Sequence, residues 1–362
     1  MLYYLLSYFK THMSCLNVFH YITVRAACAA VTALVISYLS GPYLINLFKK
    51  IQLVEKVNNV HAGLFEKHKS KAGVPTMGGI IMLVAILASV FLWADLSNIY
   101  ILLVLLSTVW LGVMGFIDDH IKCVQKKGKG MRAKTKLFWQ ILLSVIVGLV
   151  LYLKNPDANF INIPFLKEVS IYVGFAYFLV ILFIIVGTSN AVNITDGLDG
   201  LAGGCIIIAA FAYAVLAYVA GHAIFSKYLH LVYVDGAGEL TVYCCAIIGA
   251  GLGFLWYNSC PAQVFMGNTG SLSLGGIIGL IAVMIKQELL LVIVGGVFVI
   301  ETMSVIIQVF YFKRTGGKRF FLIAPIHHHF EMKGIPESKI VTRFWILAII
   351  FAVIALCSLK IR

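Results

Sequence analysis

The 362-residue chain is 61% hydrophobic and only 12% charged, with mean hydropathy +0.97 and formal net charge +13. A water-soluble globule cannot hide that much apolar surface, so a soluble fold is excluded and an all-α polytopic membrane protein is expected. The basic excess fits an anionic lipid face or an anionic substrate, and no nucleic-acid partner is expected.

The opening MLYYLLSYF is apolar but too short to span, and reads as an interfacial segment. About 20 apolar residues are needed to cross a bilayer. Ten stretches qualify: 21–48, 76–96, 98–117, 136–153, 171–188, 199–220, 240–256, 265–285, 289–312 and 341–359. The third follows the second after only the short break ADLSN. No barrel-type alternation occurs, so helices must satisfy the backbone in lipid. The whole chain, 1–362, reads as one integral membrane domain.

Three connections hold most of the basic residues. Residues 49–75 carry six, 118–136 carry seven and 313–343 carry seven, together 20 of 28. They follow spans one, three and nine, so they share one face. The positive-inside rule makes that face cytoplasmic and puts both termini on the periplasmic side. Eight cysteines are scattered, mostly in apolar runs and without CxxC spacing, and read as packing residues rather than a zinc or disulfide framework.

The polar clusters gather on the same face. GFIDDHIKC sets Asp118 and Asp119 directly after an apolar span. NAVNITDGLDGLAGG carries Asn190, Asn193, Asp196 and Asp199; WYNSCPAQVFMGNTG carries Asn258, Gln263 and Asn268; APIHHHFE carries His327, His328, His329 and Glu331. Carboxylates at a membrane edge are functional candidates by default. Paired carboxylates with amides are hard oxygen ligands suited to Mg²⁺, which commonly bridges to substrate phosphates. Lysines beside them suit a diphosphate, because phosphoryl transfer is catalysed largely by positioning and charge screening. No Walker sequence occurs, so ATP hydrolysis has no motif here. Each feature also has a plainer reading. Asp118 and Asp119 could end a helix, although acids there oppose its dipole. Asp196 and Asp199 could share one helical face or cap span six, and Asn268 could cap span eight. Lys71 and Lys122 could be topogenic charges, and Glu301 a buried structural carboxylate. The histidines suit hydrogen bonding better than zinc, since adjacent residues rarely supply a tetrahedral site.

DDHIK, NAVNITDGLDGLAGG, PAQVFMGNTGSLSLGG and APIHHHFE, with KAGVPTMGG and RFWILAII, resemble the polyprenyl-phosphate N-acetylhexosamine-1-phosphate transferases over essentially the whole chain. The resemblance implies ten transmembrane helices in a homodimer of the bacterial inner membrane, with a cytoplasmic active-site cleft. It implies transfer of phospho-N-acetylmuramoyl-pentapeptide from UDP-MurNAc-pentapeptide to undecaprenyl phosphate, giving lipid I and UMP in peptidoglycan synthesis. The triple histidine separates this branch from relatives that use other sugar phosphates, which remain the alternative. By the resemblance Asp118 deprotonates or orients the lipid phosphate, Asp119 lies near metal and diphosphate, and a covalent phospho-aspartate route stays open. Asn193, Asp196 and Asp199 match positions near the substrate. Asn258, Phe265 and Gln308 match the uridine region, where Phe265 could stack on the base. Lys71, Lys122 and Lys134 match phosphate-binding positions, and His327 and His328 the histidine motif. The family's Mg²⁺-binding aspartate stands here as Asn268, alongside Asp118 and Asp119. An amide can ligate a hard cation without the charge, so an impaired enzyme is a second alternative.

Overall fold

The computed structural model describes residues 1–9, 14–51, 71, 73–124, 130–154, 159–166 and 169–361. Lys56, Lys67, Lys69, Lys126, Lys127 and Lys129 of the basic connections lie outside them. A short α1 (Leu2–Phe9) precedes the first long helix, α2 (Ile22–Lys50). There follow α3 (Gly79–Trp93), α4 (Ile99–Val124) and α5 (Ala133–Lys154). A hairpin of β1 (Phe160–Asn162) and β2 (Ser170–Tyr172) pairs antiparallel, Phe160 opposite Tyr172. Then come α6 (Tyr177–Thr195), α7 (Leu201–Ala220), α8 (Ala223–Tyr228), α9 (Glu239–Asn258) and α10 (Gly267–Met284). The chain closes with α11 (Leu291–Val294), α12 (Gly296–Arg314), α13 (Ile326–Met332) and α14 (Glu337–Ile361).

Among the described residues nine helices are long and apolar enough to cross a membrane. The second predicted span is the exception. α3 has 15 residues, about 22 Å of helix against a hydrocarbon core of about 30 Å. The residues before it leave the helix for backbone pairing: Gly78 N–H donates to Phe265 O (2.7 Å), Gly79 N–H to Met266 O (2.8 Å), and Phe265 N–H to Pro75 O (2.9 Å). Non-helical backbone at membrane depth is tolerated only where protein satisfies it. This crossing therefore ties residues 75–79 to the segment that opens α10.

α10 is the centre of the bundle. Nearly every residue from Asn268 to Met284 is buried, and its principal neighbours are α6 and α4. Its small residues let those helices approach closely, the usual basis of helix association in lipid. The outer helices turn large apolar side chains outward, among them Phe183 (73% exposed) and Trp256 (68%). Such a belt belongs in lipid, not water.

The two ends of the bundle differ. Both chain ends lie at one of them, where the Met1 ammonium donates to Phe91 O and Lys360 Nζ donates to Tyr228 Oη (2.8 Å). There Arg25 grips Glu239 in a buried fork, Nη1–Oε2 2.8 Å and Nη2–Oε1 2.5 Å. Removing one partner of such a pair strands the other charge, at a cost of roughly 3–5 kcal/mol. Arg25→Met should therefore lower the thermal midpoint in detergent, and a joint Arg25→Met, Glu239→Leu variant should recover most of it. Nearby, Lys286 Nζ donates to Tyr177 Oη (2.8 Å), whose hydroxyl donates to Glu288. Burial pushes Glu288 up to about 7 and Lys286 down to about 8, each held back by the other's charge.

Candidate active site

The other end of the bundle holds the polar clusters. Asp118 is the twentieth residue of α4, about 29 Å along the axis and so at the far edge of the apolar layer. The helix runs on to Val124, so the aspartates do not end it. Neighbouring helical residues point about 100° apart, which sends the two carboxylates to different partners.

Asp118, fully buried, is the hub. Its Oδ1 accepts the Met131 N–H (2.6 Å) and its Oδ2 accepts Lys136 Nζ (2.6 Å). Lys122, one turn on along α4, lies 3.3 Å from Oδ2. The Asn268 amide donates to the same oxygen. Asp119 Oδ2 takes both the N–H and the hydroxyl of Thr269, each at 2.9 Å. Asn193 on α6 donates to Asn268 Oδ1 (2.6 Å) and Ser271 Oγ (2.8 Å). Asn268 is thus the second residue of α10, after Gly267, and its side chain joins α6 to α4 instead of capping its own helix.

Two glycines make this convergence possible. Gly267 holds φ +72°, and a Cβ there would sit 2.8 Å from Asp119 Oδ2. A Cβ on Gly115 would lie 2.4 Å from the Asn268 carbonyl oxygen, so α4 and α10 touch backbone to backbone. Overpacking of this kind costs about 1–3 kcal/mol. Gly115→Ala should lower the thermal midpoint and reduce turnover together, because it separates Asp118 from Asn268.

A second cluster is organised by Lys71. Its Nζ lies 2.7 Å from Asp199 Oδ1 and 2.7 Å from Glu337 Oε1. Burial disfavours the ammonium, but the Glu337 and Asp199 carboxylates outweigh it and hold Lys71 above the ordinary lysine value. Glu337 Oε1 also accepts the Asp199 N–H (2.7 Å), and Asp199 Oδ2 accepts the Ala262 N–H (3.0 Å). Asp199, Cys260 and Glu337 bring their ligand atoms within 4.8 Å of one another, and the lysine supplies the positive charge there. Asn258 clamps two loops, accepting from Gly200 N–H (3.1 Å) and donating to Val264 O (2.8 Å). Phe265 is half-buried beside them, with Lys71 Nζ 6.0 Å from its ring centroid. The 265–268 segment runs from this cluster to the Asp118 hub.

Several sequence expectations change. Asp196 terminates α6, and Asp199 precedes Gly200, the N-cap of α7, so the two share no helical face and neither caps α7. Lys134 is exposed on the first turn of α5; Lys136, two residues on, reaches Asp118. Gln308 Oε1 is taken by the N–H groups of Phe320 (3.1 Å) and Phe321 (2.8 Å). His329 Nδ1 accepts from Leu322 N–H (3.1 Å). His328 Nδ1 lies 3.0 Å from Glu331 Oε2. His327 is fully buried and so does not line an open cleft. Lys136, Thr269, Ser271 and Glu337 complete the site without having been singled out. Lys136 was visible as one of seven basic residues in its connection, but nothing local selected it.

The helices define an integral membrane protein, and the chain belongs to glycosyl transferase family 4, whose signature matches residues 101–286. Among its relatives is the phospho-N-acetylmuramoyl-pentapeptide-transferase of Solidesulfovibrio magneticus, 49% identical over 362 residues and the full length of both chains. That of Thermodesulfovibrio yellowstonii is 48% identical over 364 residues, again over all of both chains. That of Rickettsia rickettsii is 48% identical over 347 residues, 96% of each.

Proposed function

We propose that the chain transfers phospho-N-acetylmuramoyl-pentapeptide from UDP-MurNAc-pentapeptide to undecaprenyl phosphate, yielding lipid I and UMP. A phosphate oxygen of the lipid attacks the phosphorus that bears the sugar. One P–O bond forms, the diphosphate P–O bond breaks, and UMP leaves with its electron pair. The single observation behind this reading is the Asp118 hub, where a buried carboxylate, two lysines and the Asn268 amide meet at the edge of the apolar layer. That is where a lipid phosphate and a soluble nucleotide can meet.

Each residue then has a task. Asp118 orients Lys136 and Lys122 and stands ready to accept a proton from the lipid phosphate. The two lysines screen the phosphates as the bonds exchange. Lys71, Asp199 and Phe265 hold the nucleotide end, the ring offering a stacking face. Asp118 and Asp119 offer hard carboxylate oxygens suited to Mg²⁺, and Asn268 would join them by turning its amide oxygen from Asn193 toward Asp118. Mg²⁺ held there would neutralise charge on the diphosphate during transfer. The protein works as a homodimer in the inner membrane, with this site toward the cytosol.

UMP release from UDP-MurNAc-pentapeptide and undecaprenyl phosphate, with and without Mg²⁺, tests the reading. Release only with UDP-GlcNAc would transfer the assignment to another sugar phosphate. No release with any donor would leave the reading without support. Orientation has its own check. Cys260 is exposed at the site end. A membrane-impermeant maleimide should label it in inverted vesicles and not in intact spheroplasts, with Cys260→Ser as the blank.

A further inference from the structure

Glu301 lies in the interior of α12, and α13 lays His327 over it. Both side chains are fully buried, with His327 Nδ1 3.0 Å from Glu301 Oε2. With a carboxylate as its partner, Nδ1 carries a ring proton, and Nε2 is the ring nitrogen left to face the rest of the protein. Nε2 faces the loop between α6 and α7: a Cβ on Gly197 would stand 2.2 Å from it. That loop carries Asp196 and Asp199 on either side of Gly197. Among the described residues neither His327 Nε2 nor Glu301 Oε1 has a hydrogen-bond partner.

A buried polar atom left unsatisfied costs stability. An apolar pair of the same volume would avoid that cost and pack as well. A purely structural role therefore does not account for this chemistry at this place. We infer that Glu301 is a positioning residue for the donor site: by taking the Nδ1 proton of His327 it fixes the ring and tautomer that support the Asp196–Asp199 loop. The role of a carboxylate that orients a histidine from behind is familiar from metal sites, where its loss costs roughly 10–100-fold. Here the histidine acts on a loop. Gly197 is required because the ring occupies the space a side chain would need. The inference rests on the transferase reading, since it assigns that loop to the uridine diphosphate sugar.

The test compares wild type with Glu301→Gln and Glu301→Asp in detergent. Binding of UDP-MurNAc-pentapeptide is measured by calorimetry, and the ring tautomer by ¹⁵N NMR of histidine-labelled protein, with His327→Asn for assignment. Glu301→Gln should weaken donor binding by roughly tenfold or more, with KM for undecaprenyl phosphate and the thermal midpoint unchanged. The Nδ1–H signature of His327 should be lost or mixed, and Glu301→Asp should restore part of both. Unchanged donor binding in Glu301→Gln overturns the role. So does a parallel fall in both substrates' binding and in thermal stability, which would mark a structural pair. Wild type that binds no uridine diphosphate sugar overturns the transferase reading and this role together, whereas wild-type binding with an indifferent Glu301→Gln overturns this role alone.

Discussion

Asn268→Asp should lower the Mg²⁺ concentration for half-maximal UMP release by about tenfold, equivalent to about 1.4 kcal/mol, and raise turnover. The amide now donates to Asp118 and accepts from Asn193. A carboxylate cannot donate, so the variant sets three acids together with only lysines to offset them. Without a divalent cation, that repulsion should lower the thermal midpoint. Added Mg²⁺ should restore it, because a ligand that binds only the folded state stabilises it by mass action. The wild-type midpoint should respond less to the same titration. A variant whose metal requirement, rate and midpoint all match wild type would show that residue 268 does not address the cation.

Asp118→Asn should reduce UMP release by about 10²–10⁴-fold, the range for loss of a positioned proton acceptor. The replacement keeps the shape, so the fold should persist. What changes is charge: Lys136 at 2.6 Å and Lys122 at 3.3 Å lose their anion and are no longer aimed at one point. Lys136→Met should produce a smaller loss, and the double variant should fall little below Asp118→Asn alone, since residues sharing one contact are not additive. Residual activity within threefold of wild type in Asp118→Asn would remove Asp118 from the centre of the chemistry.

The membrane architecture was legible because hydropathy reports burial in lipid directly. Nine of the ten expected spans appear as crossing-length helices among the described residues, and the second is shortened where Gly78 and Gly79 pair with the 265–266 backbone. That pairing joins positions nearly 190 residues apart in sequence, and no local pattern encodes it. The Asp118 hub was legible for a different reason, since charge beside an apolar run must have a partner. The choice between Lys134 and Lys136 was not. Two residues along a helix turn the side chain by about 200°, so which lysine faces inward depends on the rotation of α5 against its neighbours. Glu337 was invisible because it reads as an ordinary acidic first-turn residue. Its role exists only once α14 returns beside the α6–α7 loop. For the triple histidine hydrogen bonding was the expectation, but its pattern did not show that the first member turns inward to Glu301.

Lys71 binds two acids that lie 128 and 266 positions away along the chain. During synthesis Asp199 therefore emerges long before Glu337, which opens the final span. Until that span is inserted, the lysine faces one carboxylate and the loop's Asp199 N–H lacks its acceptor. The Lys71 cluster thus acquires its full set of contacts only once Glu337 has been made, and a chain truncated before Glu337 would sit in the bilayer with Asp118 and Asp119 present but that cluster unfinished.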